Sequence, residues 1–127
     1  MTILRVVGCL YVLSGGWCAF SPELAAGFLG FSFTGSTGYA EFFAVYGGLQ
    51  LGLGAAIVLC SLNRRYIEAA LYFSAILSTG LLIFRIVGML LYGFSPDLAG
   101  MALLETLIAL ALWVGWNKSK IGLSLNT

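Results

Sequence analysis

Two opposite charges sit deep in apolar sequence. Arg85 lies within Leu81-Leu82-Ile83-Phe84-Arg85-Ile86-Val87, and Glu105 within Met101-Ala102-Leu103-Leu104-Glu105-Thr106-Leu107. An unpaired charge in such surroundings is expensive, whereas a paired one facing other helices is tolerated. The two are therefore expected to form an ion pair. A third ionisable residue, Glu41, opens Glu41-Phe42-Phe43-Ala44-Val45-Tyr46-Gly47-Gly48-Leu49-Gln50. If Glu41 joined the pair, one cation would sit between two acids, an arrangement suited to proton transfer. Tyr46 and Gln50 each need a hydrogen-bond partner if buried, and Arg85 is a candidate for both. Ser74, Ser78, Arg85 and Tyr92 fall on one helical line bordered by Gly88, so Ser78 joins the same candidate site.

Catalysis has few other instruments here. There is no histidine, which removes the usual proton shuttle and the commonest metal ligand. Cys9, Cys18 and Cys60 form no C-x-x-C pair and lie in apolar runs, so they are expected as small buried hydrophobes rather than metal or redox ligands. No metal and no cofactor are expected. The net charge of +1 gives nucleic acid no electrostatic footing.

These residues must be positioned by helices that cross a bilayer. Hydrophobic residues make up 61% of the 127 and charged residues 9%, and a surface so poor in charge must face lipid. Four spans are expected near residues 3–20, 39–62, 66–92 and 98–116, since about 20 apolar residues suffice to cross. The fold class is all-α: an integral membrane four-helix bundle forming one domain. The third segment exceeds the need and should tilt or protrude. Arg85 then lies roughly 10 Å below the outer end of the third span, and Glu105 roughly 12 Å below that of the fourth. A short turn joins these two spans, so the charges reach similar depth on neighbouring helices.

Charge sets the orientation. Arg5, Arg64, Arg65, Lys118 and Lys120 all fall on one side of four crossings, whereas the opposite loops hold Glu23 and Asp97 and no Lys or Arg. By the positive-inside rule both termini are cytoplasmic. Removing the first span as a signal peptide would break this pattern, so it is expected to be retained. Val6-Val7-Gly8-Cys9 resembles a lipoprotein box, but no apolar stretch precedes it.

Phe20-Ser21-Pro22-Glu23-Leu24-Ala25 recurs as Phe94-Ser95-Pro96-Asp97-Leu98-Ala99. Ser at the N-cap, Pro at the first helical position and an acid in the first turn start a helix. Asp97 opens the fourth span directly. Segment 22–33 is too short to cross and contains Gly27 and Gly30, so it is expected as a short helix at the outer interface or folded into the bundle. In the second span Glu41, Val45, Gly48, Gly52 and Ala55 share one face, and Tyr46, Gly47, Gln50 and Gly54 the opposite one. Small residues let helices approach closely, so Gly47, Gly48, Gly52 and Gly54 imply packing on both sides, as in a homo-oligomer or larger membrane complex. Trp17, Tyr39, Tyr92, Trp113 and Trp116 fall near span ends, where aromatic rings anchor at the interface. The stretch 118–127 is expected to be solvated or frayed.

The order Glu41, Tyr46-Gly47-Gly48, Gly80, Arg85, Pro96, Glu105 resembles a family of small bacterial four-helix membrane proteins of unknown function, related to the DoxX-like superfamily. The resemblance covers most of the chain after residue 38. One departure is Phe43, near the place of a second basic residue in that family. The resemblance implies a four-helix bundle in a bacterial inner membrane and no particular activity.

Three functions are open. The chain could be an accessory or binding protein with Arg85–Glu105 as internal glue in the outer half of the bilayer. It could carry or bind a membrane lipid or quinone-like molecule, with Arg85 holding an anionic or carbonyl group. It could be a small enzyme using Glu105 or Glu41 as acid and base, with Arg85 stabilising negative charge. No nucleophile–base pair or cofactor motif accompanies the third, so the first ranks highest.

Overall fold

The computed structural model describes residues 2–124, and every regular element among them is helical. The chain divides into two compact units, one over Leu4–Leu62 and one from Asn63 onward. Four helices are long and apolar enough to cross a membrane: Thr2–Phe20, Ser36–Ser61, Arg64–Tyr92 and Pro96–Lys120.

The first unit begins with α1 (Thr2–Phe20), which Pro22 ends. Proline excludes the residue before it from helical geometry, and Ser21 sits at φ −137°, ψ 61°. The short helix α2 (Pro22–Phe28) follows. Gly30 at φ +80° closes it, with the Gly30 N–H donating to the Gly27 carbonyl and the Phe31 N–H to that of Ala26. That pair of bonds around a left-handed glycine is a Schellman motif, so Gly30 terminates the helix and residues 31–33 lie beyond it. Ala25 and Ala26 are buried in a small core with Cys18 and Phe42, while Leu24 and Phe28 are exposed.

The second long helix has an interruption that hydrophobic periodicity does not reveal. It runs as α3 (Ser36–Phe42), a π-helical segment (Phe43–Leu49) and α4 (Gln50–Ser61). Its inner face carries Gly47 and Gly54, and these meet Gly15 and Gly8 of α1 in reversed order. Both glycine pairs are seven residues apart, so two antiparallel helices touch backbone to backbone at two places. A methyl at Gly54 would sit 2.7 Å from both the Gly8 carbonyl oxygen and the Val12 nitrogen. One at Gly15 would sit 2.7 Å from the Leu51 nitrogen and 2.9 Å from the Gly47 oxygen. Gly52 faces open space, and a methyl at Gly48 would meet only the carbonyl of its own Phe43. Glu41, Val45, Gly48, Gly52 and Ala55 are all exposed.

The second unit is an α5–α6 hairpin. α5 (Arg64–Tyr92) starts at Asn63, whose side chain accepts from the Arg65 N–H at 3.0 Å. This cap moves the start two residues ahead of the expected boundary and places two arginines in the first turn, against the helix dipole. Gly93 at φ +114° ends α5, and Ser95 caps α6 (Pro96–Ser124) by accepting from the Leu98 N–H at 3.2 Å. Ser21 makes no such bond, so the repeated hexapeptide is capped by its serine in the second copy only.

Two expectations need correction. Stretch 118–127 is not frayed through its described part. α6 continues to Ser124, with the Lys120 ammonium 3.6 Å from the Trp116 ring centre one turn back, and residues 125–127 lie outside the described residues. Of the cysteines only Cys18 is fully buried. Cys60 is partly covered and Cys9 is exposed, because an apolar side chain on a lipid-facing surface has no need of a protein core.

Gly54→Ala and Gly15→Ala should destabilise the α1–α4 packing by about 1–3 kcal/mol, the usual cost of overpacking. Gly52→Ala should be neutral or slightly stabilising. Unfolding of the detergent-solubilised protein compares them, and equal effects at Gly52 and Gly54 would refute the close crossing.

Candidate functional site

Arg85 and Glu105 meet because α5 and α6 fold back about Ser95. One lies ten residues before that serine and the other ten after it, so an antiparallel hairpin sets them side by side. Arg85 Nε donates to Glu105 Oε2 at 2.6 Å, and Arg85 Nη2 to Glu105 Oε1 at 2.6 Å. Two parallel charge-assisted bonds fix both planar groups in one geometry, which a lysine could not reproduce. The side chains are 21% and 13% exposed. The pair is thus largely withdrawn from its surroundings yet open along one edge.

A second polar contact joins the same helices. Trp113 Nε1 donates to Thr79 Oγ1 at 3.0 Å, and the Thr79 hydroxyl donates onward to the Ala75 carbonyl at 2.7 Å. Trp113 and Trp116 pack with Tyr72, the Tyr72–Trp116 rings stacking at 4.8 Å. Both tryptophans therefore work within the hairpin, and neither is only an interfacial anchor. Threonine on an apolar helix gave no sequence signal for this role; its separation from Trp113 across the turn was the available clue.

The line Ser74, Ser78, Arg85, Tyr92 is not uniform. Ser74 and Ser78 are buried, and their hydroxyls have no hydrogen-bond partner among the described residues. Tyr92 is 89% exposed. Burial on α5 stops at Ser78, so the face opens toward its Gly93 end, where the ion pair lies.

The remaining candidates belong to the first unit. Glu41 is exposed and makes no hydrogen bond or ion pair with any described residue. Tyr46 stacks on Phe42 at 4.8 Å, and Gln50 is half-buried, with its Oε1 lacking a partner among the described residues and its Cβ against Gly15. The six candidates therefore fall into two groups: Arg85, Glu105 and Ser78 in one unit, and Glu41, Tyr46 and Gln50 in the other. Sequence reasoning missed the aromatic cluster around Glu41, which Phe31 and Phe33 complete from the loop after α2. Among the described residues no group of His, Cys, Asp and Glu could hold a metal ion.

Large apolar side chains cover the outside of these helices as well as their core, which a water-soluble domain with a charged surface does not show. Ser61, Ser74 and Ser78 are buried while Phe84, Leu90 and Leu103 are exposed. With four helices of sufficient length, this places the chain in the class of multi-pass membrane proteins. No protein-family model, curated protein or solved structure matches it.

Thr79→Val should cost about 1 kcal/mol by leaving the half-buried indole N–H without its acceptor, whereas Thr79→Ser should retain the contact. Tryptophan fluorescence during unfolding reports both, and a valine variant as stable as wild type would show that the bond contributes nothing.

Proposed function

We propose that the chain is an accessory or binding protein of a bacterial inner membrane, a four-helix bundle with both termini cytoplasmic and α2 at the outer interface. The resemblance to the DoxX-like superfamily and the one-sided placement of Lys and Arg support this arrangement. The observation that carries the functional reading is the two-bond Arg85–Glu105 pair between long apolar helices. In the outer half of the bilayer this pair locks the α5–α6 hairpin in register. The exposed row Gly48, Gly52 and Ala55 offers a partner helix, from a second copy or a larger membrane complex, a surface shallow enough for close approach.

A second reading is that of a carrier for a lipid or quinone-like molecule. A wholly apolar groove of about 510 Å³ between α1 and α4, lined by Cys9, Val12, Leu13, Ala55, Val58 and Leu59, favours it. Its size suits an acyl or isoprenoid chain segment.

Arg85→Met should destabilise the protein by a few kcal/mol, up to about 3, because it strands Glu105. Arg85→Met/Glu105→Leu should recover most of that loss. A double variant no more stable than the single one would show that the pair is more than internal glue. Native mass spectrometry from nanodiscs tests the ranking. The accessory reading expects the same oligomer, without bound ligand, in wild type and double variant. A lipid or quinone that co-purifies with wild type and is lost in the double variant would replace it with the carrier reading.

A further inference from the structure

Glu41 is a carboxylate of the first unit that meets neither a cation nor a hydrogen-bond donor among the described residues, and it lies among aromatic rings. Glu41 lines a groove of about 280 Å³ together with Phe31, Phe33, Phe42 and Tyr46. The rings pack against one another and close the small core of this unit, with Phe42 buried and Phe31 left 47% exposed at the groove. Phe42 and Tyr46 stack at 4.8 Å, Phe33 meets Phe42 edge-on at 5.3 Å, and Phe31 meets Tyr46 edge-on at 5.5 Å. Phe31 and Phe33 reach the groove because Gly30 ends α2 and turns the chain back toward α3.

We propose that this groove binds a small organic cation, an ammonium carrying alkyl groups. The chemistry converges on that class from two directions. Aromatic faces attract cations through their quadrupoles, most strongly where water is excluded, and alkylated ammonium ions are the ligands such walls recognise. Glu41 supplies the opposite charge, and no Lys, Arg or His occurs between Arg5 and Arg64 to neutralise it. The other acid of the first unit, Glu23, accepts a hydrogen bond from the Tyr39 hydroxyl at 2.8 Å, whereas Glu41 has no partner among the described residues. An anion would meet repulsion from Glu41 at such a surface. Small-molecule sites begin near about 300 Å³, so the groove fits a head group rather than a whole drug-sized molecule.

Two sources carry this chemistry, the choline head group of a zwitterionic lipid and a free alkylammonium ion. The test is calorimetric titration of phenyltrimethylammonium into the full chain in nanodiscs of phosphatidylglycerol and, separately, of phosphatidylcholine. In phosphatidylglycerol the wild type should bind. Glu41→Gln and Phe31→Leu should each weaken binding about three- to fivefold, the scale of one cation contact at an exposed site. Asp97→Asn makes the same change of charge as Glu41→Gln and should bind as wild type. Weaker apparent affinity in phosphatidylcholine assigns the site to the lipid head group, and equal affinity assigns it to a free cation. Absence of binding in phosphatidylglycerol overturns the proposal, as does wild-type affinity in either groove variant. Glu41 and Phe31 are exposed, so both variants should fold, and thermal unfolding in the same discs verifies it.

Discussion

An ion pair between apolar helices has little water to replace a lost partner, and the α5–α6 unit is arranged around that constraint. Removing one charge from its partner in low dielectric costs far more than the pair gains over two apolar residues. The geometry must therefore be kept within narrow limits. Gly93, the Ser95 cap and Pro96 form a turn with little freedom, which fixes the register ten residues away on either side. Trp113 and Thr79 hold the same register further from the turn. Each contact is modest alone, and together they leave the hairpin one way to close.

The α1–α4 unit solves the same problem without charge. Helices in lipid gain nothing from hiding apolar surface, because the tails are as apolar as leucine. Association must come from close packing and short-range dispersion, which fall off steeply with distance. Gly8, Gly15, Gly47 and Gly54 remove the side chains that would hold the backbones apart. The unit is thus specified by shape, where the α5–α6 unit is specified by a polar contact.

The difference explains what the sequence disclosed. Long apolar runs and their flanking charges mark helices whatever the tertiary structure, so the four candidate spans were legible to within a few residues at most ends. Arg85 and Glu105 were legible as a pair because charges are rare in such runs and the turn between them is short. The glycine crossing was only half legible. Gly47 and Gly54 stood out, but so did Gly48 and Gly52, and nothing in the sequence says which row meets a neighbour. Their partners Gly8 and Gly15 passed as ordinary residues of an apolar span. The π segment Phe43–Leu49 was invisible, because a change of backbone hydrogen-bond register needs no particular side chain. The length of α6 was not legible, because exposed Lys118 and Lys120 mark the end of the apolar run but not of the helix: lysine is a good helix former and can lie over Trp116.

The two charged sites are therefore unequal. Arg85 and Glu105 satisfy one another through two bonds, and a satisfied pair asks nothing further of its surroundings. Glu41 is the opposite case. It stands at the junction of α3 and the π segment, on a chain stretch without a single cation, beside rings whose faces favour positive charge. Water or lipid head groups can solvate a carboxylate at a membrane boundary, and solvation alone would place no demand on its neighbours. Core packing orders Phe33, Phe42 and Tyr46, but it leaves Phe31 exposed on the groove beside Glu41. Phe31 and Phe33 reach it only because a left-handed glycine reverses the chain after a seven-residue helix. The rings that close the core of this unit thus leave Phe31 and part of Tyr46 beside an uncompensated carboxylate, and that juxtaposition is what the proposed cation site rests on.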